Sequence, residues 1–468
     1  MSVAEVTERP RLPLWVVIVA GGAITALSLG VRSTFGLLVT PIADGIGSDL
    51  GSISLAIAIQ NLVWGFSQPV AGALSDRFGA SRILAGGGVL YIAAMALMST
   101  AQSPGMIIFS GGFLAGIAVG AASFAVVLSA VGRMAPPEKR SILLGVVSAV
   151  GSLGQFVLIP LTRVLLDRGD WRSTSVILAV LLVGIVVVAP AMASKRQLLE
   201  PQDGVAQASA NVPTLSEDLV RARTSRPYLL LNAAFFVCGF HVTFIGVHLA
   251  GHVELVGLSA TTASTALALI GLFNVFGSLL VGAAGQRISY TKLLAAIYFM
   301  RAVAISAYIL TPVTSTSTII FAMAMGVLWL STVPPTSAMV TEMFGPTNSG
   351  ALFGIVFLSH QMGSFIGAWM GGEVVDVTGT YALVWWIAVG LGIFAMAMHL
   401  IIDRTPPGPE QRRSPSRFAP SAIALFVLVG GLAAAVSLAT APAVEASASE
   451  EAPPSYYCSL GPTLTPAR

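Results

Sequence analysis

The sequence predicts an all-α membrane protein made of two six-helix bundles, with an extra helix near its C-terminal end. Three observations carry that prediction. Hydrophobic residues fill 55% of 468 positions and charged residues only 10%, whereas a soluble domain is about 25% charged; the mean hydropathy is +0.85. Twelve apolar stretches recur, each close to the roughly 20 residues a helix needs to cross the hydrocarbon core. A polar segment divides the twelve six and six, and matching loop residues recur in the two halves.

The stretches run in order over 14–41, 53–74, 82–101, 105–130, 141–164 and 173–193, then 227–250, 262–284, 291–311, 317–340, 350–372 and 382–402. The first is longer than the apolar core of a cleaved leader and contains Arg32, so it reads as a span. Residues 1–193 form the N-terminal bundle and 227–402 the C-terminal one. Between them, 194–226 is a cytoplasmic linker carrying Lys195, Arg196, Arg221, Arg223 and Arg226. Residues 403–418 are a second basic linker. Residues 419–440 are a thirteenth candidate span, and 441–468 are an acidic, Pro-containing tail that reads as disordered.

The charges set the orientation. With the N-terminus in the cytoplasm, 18 of the 24 Lys and Arg fall in cytoplasmic segments, as the positive-inside rule requires. The predicted home is the cytoplasmic membrane. The net charge of +3 belongs to these loops, so nucleic acid is excluded as a partner and the bilayer is the one macroscopic partner expected. Cys238 in an apolar stretch and Cys458 in the tail imply no disulfide framework. No cofactor motif or metal cluster appears, and the chain reads as a monomer.

The halves repeat with an offset of 210. Gly72, Arg77, Arg82 and Leu84 between stretches 2 and 3 correspond to Gly282, Arg287, Lys292 and Leu294 between stretches 8 and 9, and Pro136 corresponds to Pro346. Tandem duplication with a site between the halves is a common transporter plan. The run Gly72-x-x-x-Asp76-Arg77-x-Gly79-x-x-Arg82 resembles the signature loop of the major facilitator superfamily. That resemblance covers residues 1–405 and implies helices 1, 4, 7 and 10 around a central cavity. It also implies a conformational latch at Gly72, Asp76, Arg77, Gly79 and Arg82; the other reading is a plain basic loop. The second copy departs from the pattern, with Gln286 in place of the acid.

Within the superfamily the chain looks most like prokaryotic relatives of the monocarboxylate and oxalate–formate carriers. The residues concerned are Arg32-Ser33-Thr34-Phe35-Gly36 running to Pro41, Gln60-Asn61-Leu62-Val63-Trp64-Gly65, and His360-Gln361-x-Gly363-Ser364-Phe365. A basic–acidic pair on helix 8, known in animal members, is missing; that stretch offers Asn274. Helix 5 also lacks the tight Gly-Pro run of drug/proton antiporters.

Ionisable groups inside a bilayer are costly and usually functional. Arg32 and Arg301 are the two cations within spans, and no Asp or Glu lies mid-span. An anionic substrate is the simplest missing partner, since an arginine fork holds a carboxylate through two hydrogen bonds. Arg32 is the favoured contact, with snorkelling to the interface as its alternative. Arg301, on a peripheral helix, has a structural alternative: bonding to backbone or to Asn274. The candidate substrate-binding set is Arg32, Phe35, Gln60, Asn61, Trp64, His241, Asn274, His360 and Gln361. With no carboxylate in the membrane, a coupled proton would ride on His241, His248 or His360, or on the substrate itself; helix-to-helix hydrogen bonding is the alternative for each histidine. Gly112, Gly116 and Gly120, and Gly363, Gly367 and Gly371, form small-residue stripes for close packing. Pro334-Pro335 should free the Leu330 and Ser331 carbonyls and act as a gate hinge.

The function expected is secondary active transport of a small organic anion, a monocarboxylate, by alternating access with proton coupling. Efflux of amphipathic drugs by the same fold is the alternative, and it calls for a cavity acid that the spans lack. A membrane enzyme or sensor would need a nucleophile–base pair or a signalling domain, and a primary pump an ATP-binding loop; none is in the sequence. If 419–440 crosses the bilayer, a membrane-impermeant maleimide will label Cys458 on intact cells and leave Cys238 unmodified. Labelling of Cys458 only after lysis would show that this stretch does not cross.

Overall fold

The computed structural model describes residues 6–10, 12–122, 124–136, 140–198, 213–285, 287–345 and 348–403. The linker over 199–212, Gln286, Pro346, the basic segment from 404 onward, the 419–440 stretch and Cys458 lie outside them. Twelve helical segments are long and apolar enough to cross a membrane, matching the sequence reading in number and order. Spans 1–6 run over Leu14–Ile46, Leu50–Phe78, Ala80–Ser99, Pro104–Met134, Arg140–Arg168 and Trp171–Met192. Spans 7–12 run over Arg226–Leu255, Ala260–Ala284, Tyr290–Leu310, Ser315–Phe344, Ser349–Thr378 and Ala382–Asp403. Each half packs around its own large apolar core.

Two short elements lie outside the spans. Strands β1 (Val6–Pro10) and β2 (Ser194–Leu198) pair antiparallel, with Val6 opposite Leu198 and Pro10 opposite Ser194. A linker helix over Leu215–Thr224 opens on a capping box: the Thr214 hydroxyl accepts from the Glu217 amide while the Glu217 carboxylate accepts from the Thr214 amide at 2.8 Å.

The glycine stripes do what their spacing predicts. A methyl group on Gly112 or Gly116 would meet the carbonyl oxygens of Ala56 or Gln60 of span 2 at 2.9 and 2.8 Å. On span 11, one on Gly367 would meet the Phe240 carbonyl of span 7 at 2.6 Å. In each bundle two helices therefore pack backbone to backbone, where dispersion is strongest.

Three spans are irregular. Span 1 breaks at Thr34, whose hydroxyl donates to the Val31 carbonyl at 2.8 Å; the helix resumes at Phe35 and runs on to Ile46, five residues past the sequence boundary. Span 4 holds a π-helical stretch over Ile108–Leu114, where Gln60 Nε2 donates to the Gly111 carbonyl at 2.8 Å. Span 10 is broken between Leu328 and Val333.

The break in span 10 corrects the sequence reading in detail. Pro334 and Pro335 sit in the first turn of the second half, where a missing amide hydrogen costs nothing. The carbonyls left over and bonded are Leu328 and Trp329, not Leu330 and Ser331. Arg301 of span 9 takes both. Its Nε and Nη2 donate to Leu328 O at 3.1 and 2.6 Å, and Nη2 also donates to Trp329 O. The guanidinium thus caps the negative end of a half-helix. Asn274 does not bond Arg301; its Oδ1 accepts from the Leu330 amide at 3.0 Å on the far side of the break. Arg301→Met, which keeps the bulk and removes the donors, should lower thermal stability by on the order of 3 kcal/mol, since two buried carbonyls lose partners at about 1–3 kcal/mol each. An unchanged melting midpoint in detergent would show that those bonds carry no stability.

Candidate functional site

The two bundles meet along one end of the molecule. There Gly36 of span 1 packs on the Gly246–Val247 backbone of span 7, and Gly372 of span 11 on Ser54 of span 2. Asp376 of span 11 accepts from the Leu50 amide at 3.2 Å and from the Gly51 amide, so an acid of one bundle caps the positive end of span 2 in the other. Asp49 caps the same helix end, accepting from the Ser52 amide; that bond holds its carboxyl below the ordinary aspartate value. A lowered value keeps this cap in place at neutral pH and loses it as pH falls through the acid range. Deeper in, Gly65 meets Gln361, Gln155 Nε2 donates to Leu267 O at 3.2 Å, and Asn274 Nδ2 donates to Ser152 Oγ at 3.1 Å. Toward the opposite end the pattern changes. Gly72, Gly282, Gly350 and Gly354 have no atom within 4 Å of where a Cβ would stand. The molecule is sealed at the Leu50–Asp376 end and unpacked at the Gly72–Gly282 end.

Arg32 lies beside the break in span 1, facing span 2. Its Nη2 donates to Asn61 Oδ1, and its guanidinium carbon stands 4.8 Å from the centre of the Trp64 ring. Nε is buried without a hydrogen-bond partner. The Tyr91 hydroxyl of span 3, fully buried and likewise without a partner, is close enough to interact electrostatically with the guanidinium. Among the described residues no carboxylate pairs with Arg32. A cation half satisfied by one amide and one aromatic face retains capacity for an anion.

Trp64 extends this site across the seam. Its ring meets Phe357 of span 11 edge to face at 5.5 Å, while Nε1 donates to Gln68 at 2.9 Å. Phe357 stacks on His360 at 5.6 Å, and Phe235 lies on another side of that ring at 5.1 Å. His360 Nδ1 is 3.3 Å from Gln361 Oε1. Gln361 Nε2 is buried and unpartnered. Arg32, Asn61, Trp64, His360 and Gln361 therefore gather where spans 1, 2 and 11 converge. Phe35 lies one helical turn along span 1, in a small apolar pocket with Ile53 and Met98.

Other predicted residues stand elsewhere. Gln60 points into its own bundle, onto Gly111. Asn274 is consumed by Ser152 and Leu330. His241 and His248 share one face of span 7, as their spacing requires, but it is the face turned to neighbours in the same bundle: their Nε2 atoms lie 2.7 Å from Ala388 O of span 12 and 2.6 Å from Ala368 O of span 11. Both are helix-to-helix ties. Sequence reasoning missed Tyr91, one tyrosine in an apolar stretch with no spacing to mark it. Among the described residues no group of three His, Cys, Asp or Glu could hold a metal.

Comparison with known proteins now decides the family. The family model described as Major Facilitator Superfamily matches residues 21–332 and 254–449. The chain belongs to the major facilitator superfamily. It is a membrane transporter rather than an enzyme. Relatives include an uncharacterized MFS-type transporter, YcxA, of Bacillus subtilis, 23% identical over 80% of this chain and 90% of that one. Monocarboxylate transporter 13 of Bos taurus is 24% identical over 85% and 92%. Among solved structures, the D-xylose-proton symporter shares the fold with a TM-score of 0.64 at 15% identity, covering 84% of this chain and 97% of that one. A mutant form of the nucleoside transporter NupG also scores 0.64, at 13% identity, with 82% and 99% covered.

The superfamily's signature loop lies at the unpacked end. Gly79, with φ of 90°, turns span 2 into span 3. Arg77 and Arg82 are exposed, and Arg77 lies 5.2 Å from the Phe78 ring. The Asp76 side chain and Gln286 lie outside the described structure. At the sealed end, Asp376→Ala should free the span 2 terminus and open that side. A cysteine introduced by Ser54→Cys, buried in the seam, should then react with an impermeant thiol reagent at least several-fold faster. Equal reactivity with and without Asp376→Ala would show that this cap does not hold the seam.

Proposed function

We propose that the protein is a secondary active transporter for a small organic anion, a monocarboxylate, driven by protons and working by alternating access in the cytoplasmic membrane. The observation that carries the reading is Arg32: a guanidinium buried at the junction of the bundles, with a free Nε, an amide and an aromatic face beside it, and no described carboxylate to neutralise it. Keeping an arginine inside a bilayer costs about 3 kcal/mol or more. A carboxylate arriving from water offsets that cost by accepting from the guanidinium. The Trp64–Phe357 pair supplies an apolar wall for a short carbon chain. Named monocarboxylate transporters among the relatives agree with that chemistry.

Alternating access in this reading exchanges the seam at the Leu50–Asp376 end for one at the Gly72–Gly282 end, where the loop of Gly72, Asp76, Arg77, Gly79 and Arg82 would latch. With the N-terminus cytoplasmic, the open side faces the cell interior. Proton coupling falls to His360: it reaches the junction, while His241 and His248 are held by backbone carbonyls.

Arg32 gives the direct test. In proteoliposomes, Arg32→Ala should weaken monocarboxylate binding by at least about 30-fold, the usual cost of removing one member of a buried charge pair. Arg32→Lys should recover part of the loss, because charge remains and the planar fork does not. Normal binding and uptake by folded Arg32→Ala, or a cationic native substrate, would overturn the reading.

A further inference from the structure

Span 7 sets Cys238 against the break in span 10. Its thiol is fully buried. The sulfur lies 3.1 Å from the Thr332 hydroxyl, inside the break, and 3.5 Å from Nη1 of Arg301. His360 of span 11 is within hydrogen-bonding reach of the same sulfur. One thiol thus touches an imidazole at the bundle junction and the guanidinium that caps the broken helix.

The charged and titratable surroundings are few. Arg301 and Tyr298 face the thiol from span 9, Thr332 from span 10 and His360 from span 11. His241, nearly one turn along span 7, also feels Arg301, and His399 of span 12 stacks on Tyr298 at 5.4 Å. No described carboxylate enters this set. The charge of Arg301 therefore has only helix carbonyls and the thiol to answer it. Of the groups able to become anions here, a thiol ionises more readily than a phenol.

We propose that Cys238 and His360 form a proton-binding pair that passes its charge state to the hinge of span 10 through Arg301. The proposal rests on the proton-coupled reading above and supplies its site. In the loaded state the sulfur keeps its hydrogen, and Arg301 gives its strong bonds to Leu328 and Trp329. On unloading, the S–H bond breaks and the proton passes to a ring nitrogen of His360, which hands it on at the junction with span 2. The thiolate left behind pairs with Arg301. That attraction competes with the two carbonyls, so the half-helix loses its cap when the proton leaves. Proton occupancy and hinge geometry are then linked as two ligands of one equilibrium.

The test uses the full chain with Cys458→Ser, which leaves Cys238 as the single thiol. Difference infrared spectroscopy should show the S–H stretch fading and returning with pH in step with the transport profile. In proteoliposomes, adding Cys238→Ser should preserve substrate exchange, which moves no net protons. It should flatten the dependence of uphill uptake on pH, from about tenfold per unit for one linked proton to near none. His360→Gln should uncouple the S–H signal from transport. An S–H stretch unchanged across the transport profile, or Cys238→Ser with the parent's pH dependence, would overturn the proposal. Failure of the Cys458→Ser parent to exchange any monocarboxylate would count against the anion reading instead, and the infrared result would still decide the proton pair.

Discussion

Hydrocarbon offers a backbone carbonyl or amide nothing to bond, so every departure from the regular helix must find its partner inside the protein. Four such partners organise this molecule. Thr34 closes the break in span 1 through Val31. Gln60 reaches across to Gly111 within the π-helical stretch of span 4. Arg301 caps the first half of span 10, and Asn274 holds the Leu330 amide beside it. Polar side chains that first suggest ligand chemistry are, at three of these points, the means by which an irregular helix survives in a membrane.

The same irregularities lie near the bundle junction. The break in span 1 leaves Arg32 at a helix end, with its fork turned to span 2. Asn274, while bracing span 10, also bonds Ser152 of the other bundle. Strain in span 10 therefore has a direct path across the seam. The seam itself is thin where glycine lets backbones touch, as at Gly36 and Gly372. Such contacts are tight yet involve few long side chains, so separating them disturbs little of each core. The two bundles keep separate apolar cores, as bodies that shift against each other must.

Much of the fold was legible because hydropathy and length alone specify spans, and glycine at intervals of four specifies close packing. The placement of side chains was less so. A seven-residue spacing puts His241 and His248 on one face, but not on a known face; only the positions of spans 11 and 12 show that it looks away from the cavity. Arg32 was legible from its cost. Arg301 carried the same cost, and its duty could not be read, because the carbonyls it serves belong to another span and exist only once Pro334 and Pro335 have ended a helix. Tyr91 had no local signal at all. The pairing of β1 with β2 joins segments more than 180 residues apart, neither with a distinctive pattern.

That small ribbon alters the connectivity of the first bundle. The chain enters span 1 just after Pro10 and leaves span 6 just before Ser194, and these two residues stand opposite each other in the ladder. The six helices thus form a nearly closed circuit whose ends are stitched by main-chain bonds. Thermal fraying at either end is suppressed by the other, as in a cyclised chain. The circuit also makes the first bundle topologically indifferent to where its chain begins: a permuted version, joined across the ribbon and opened at the loop near Pro136, would keep every helix in its place.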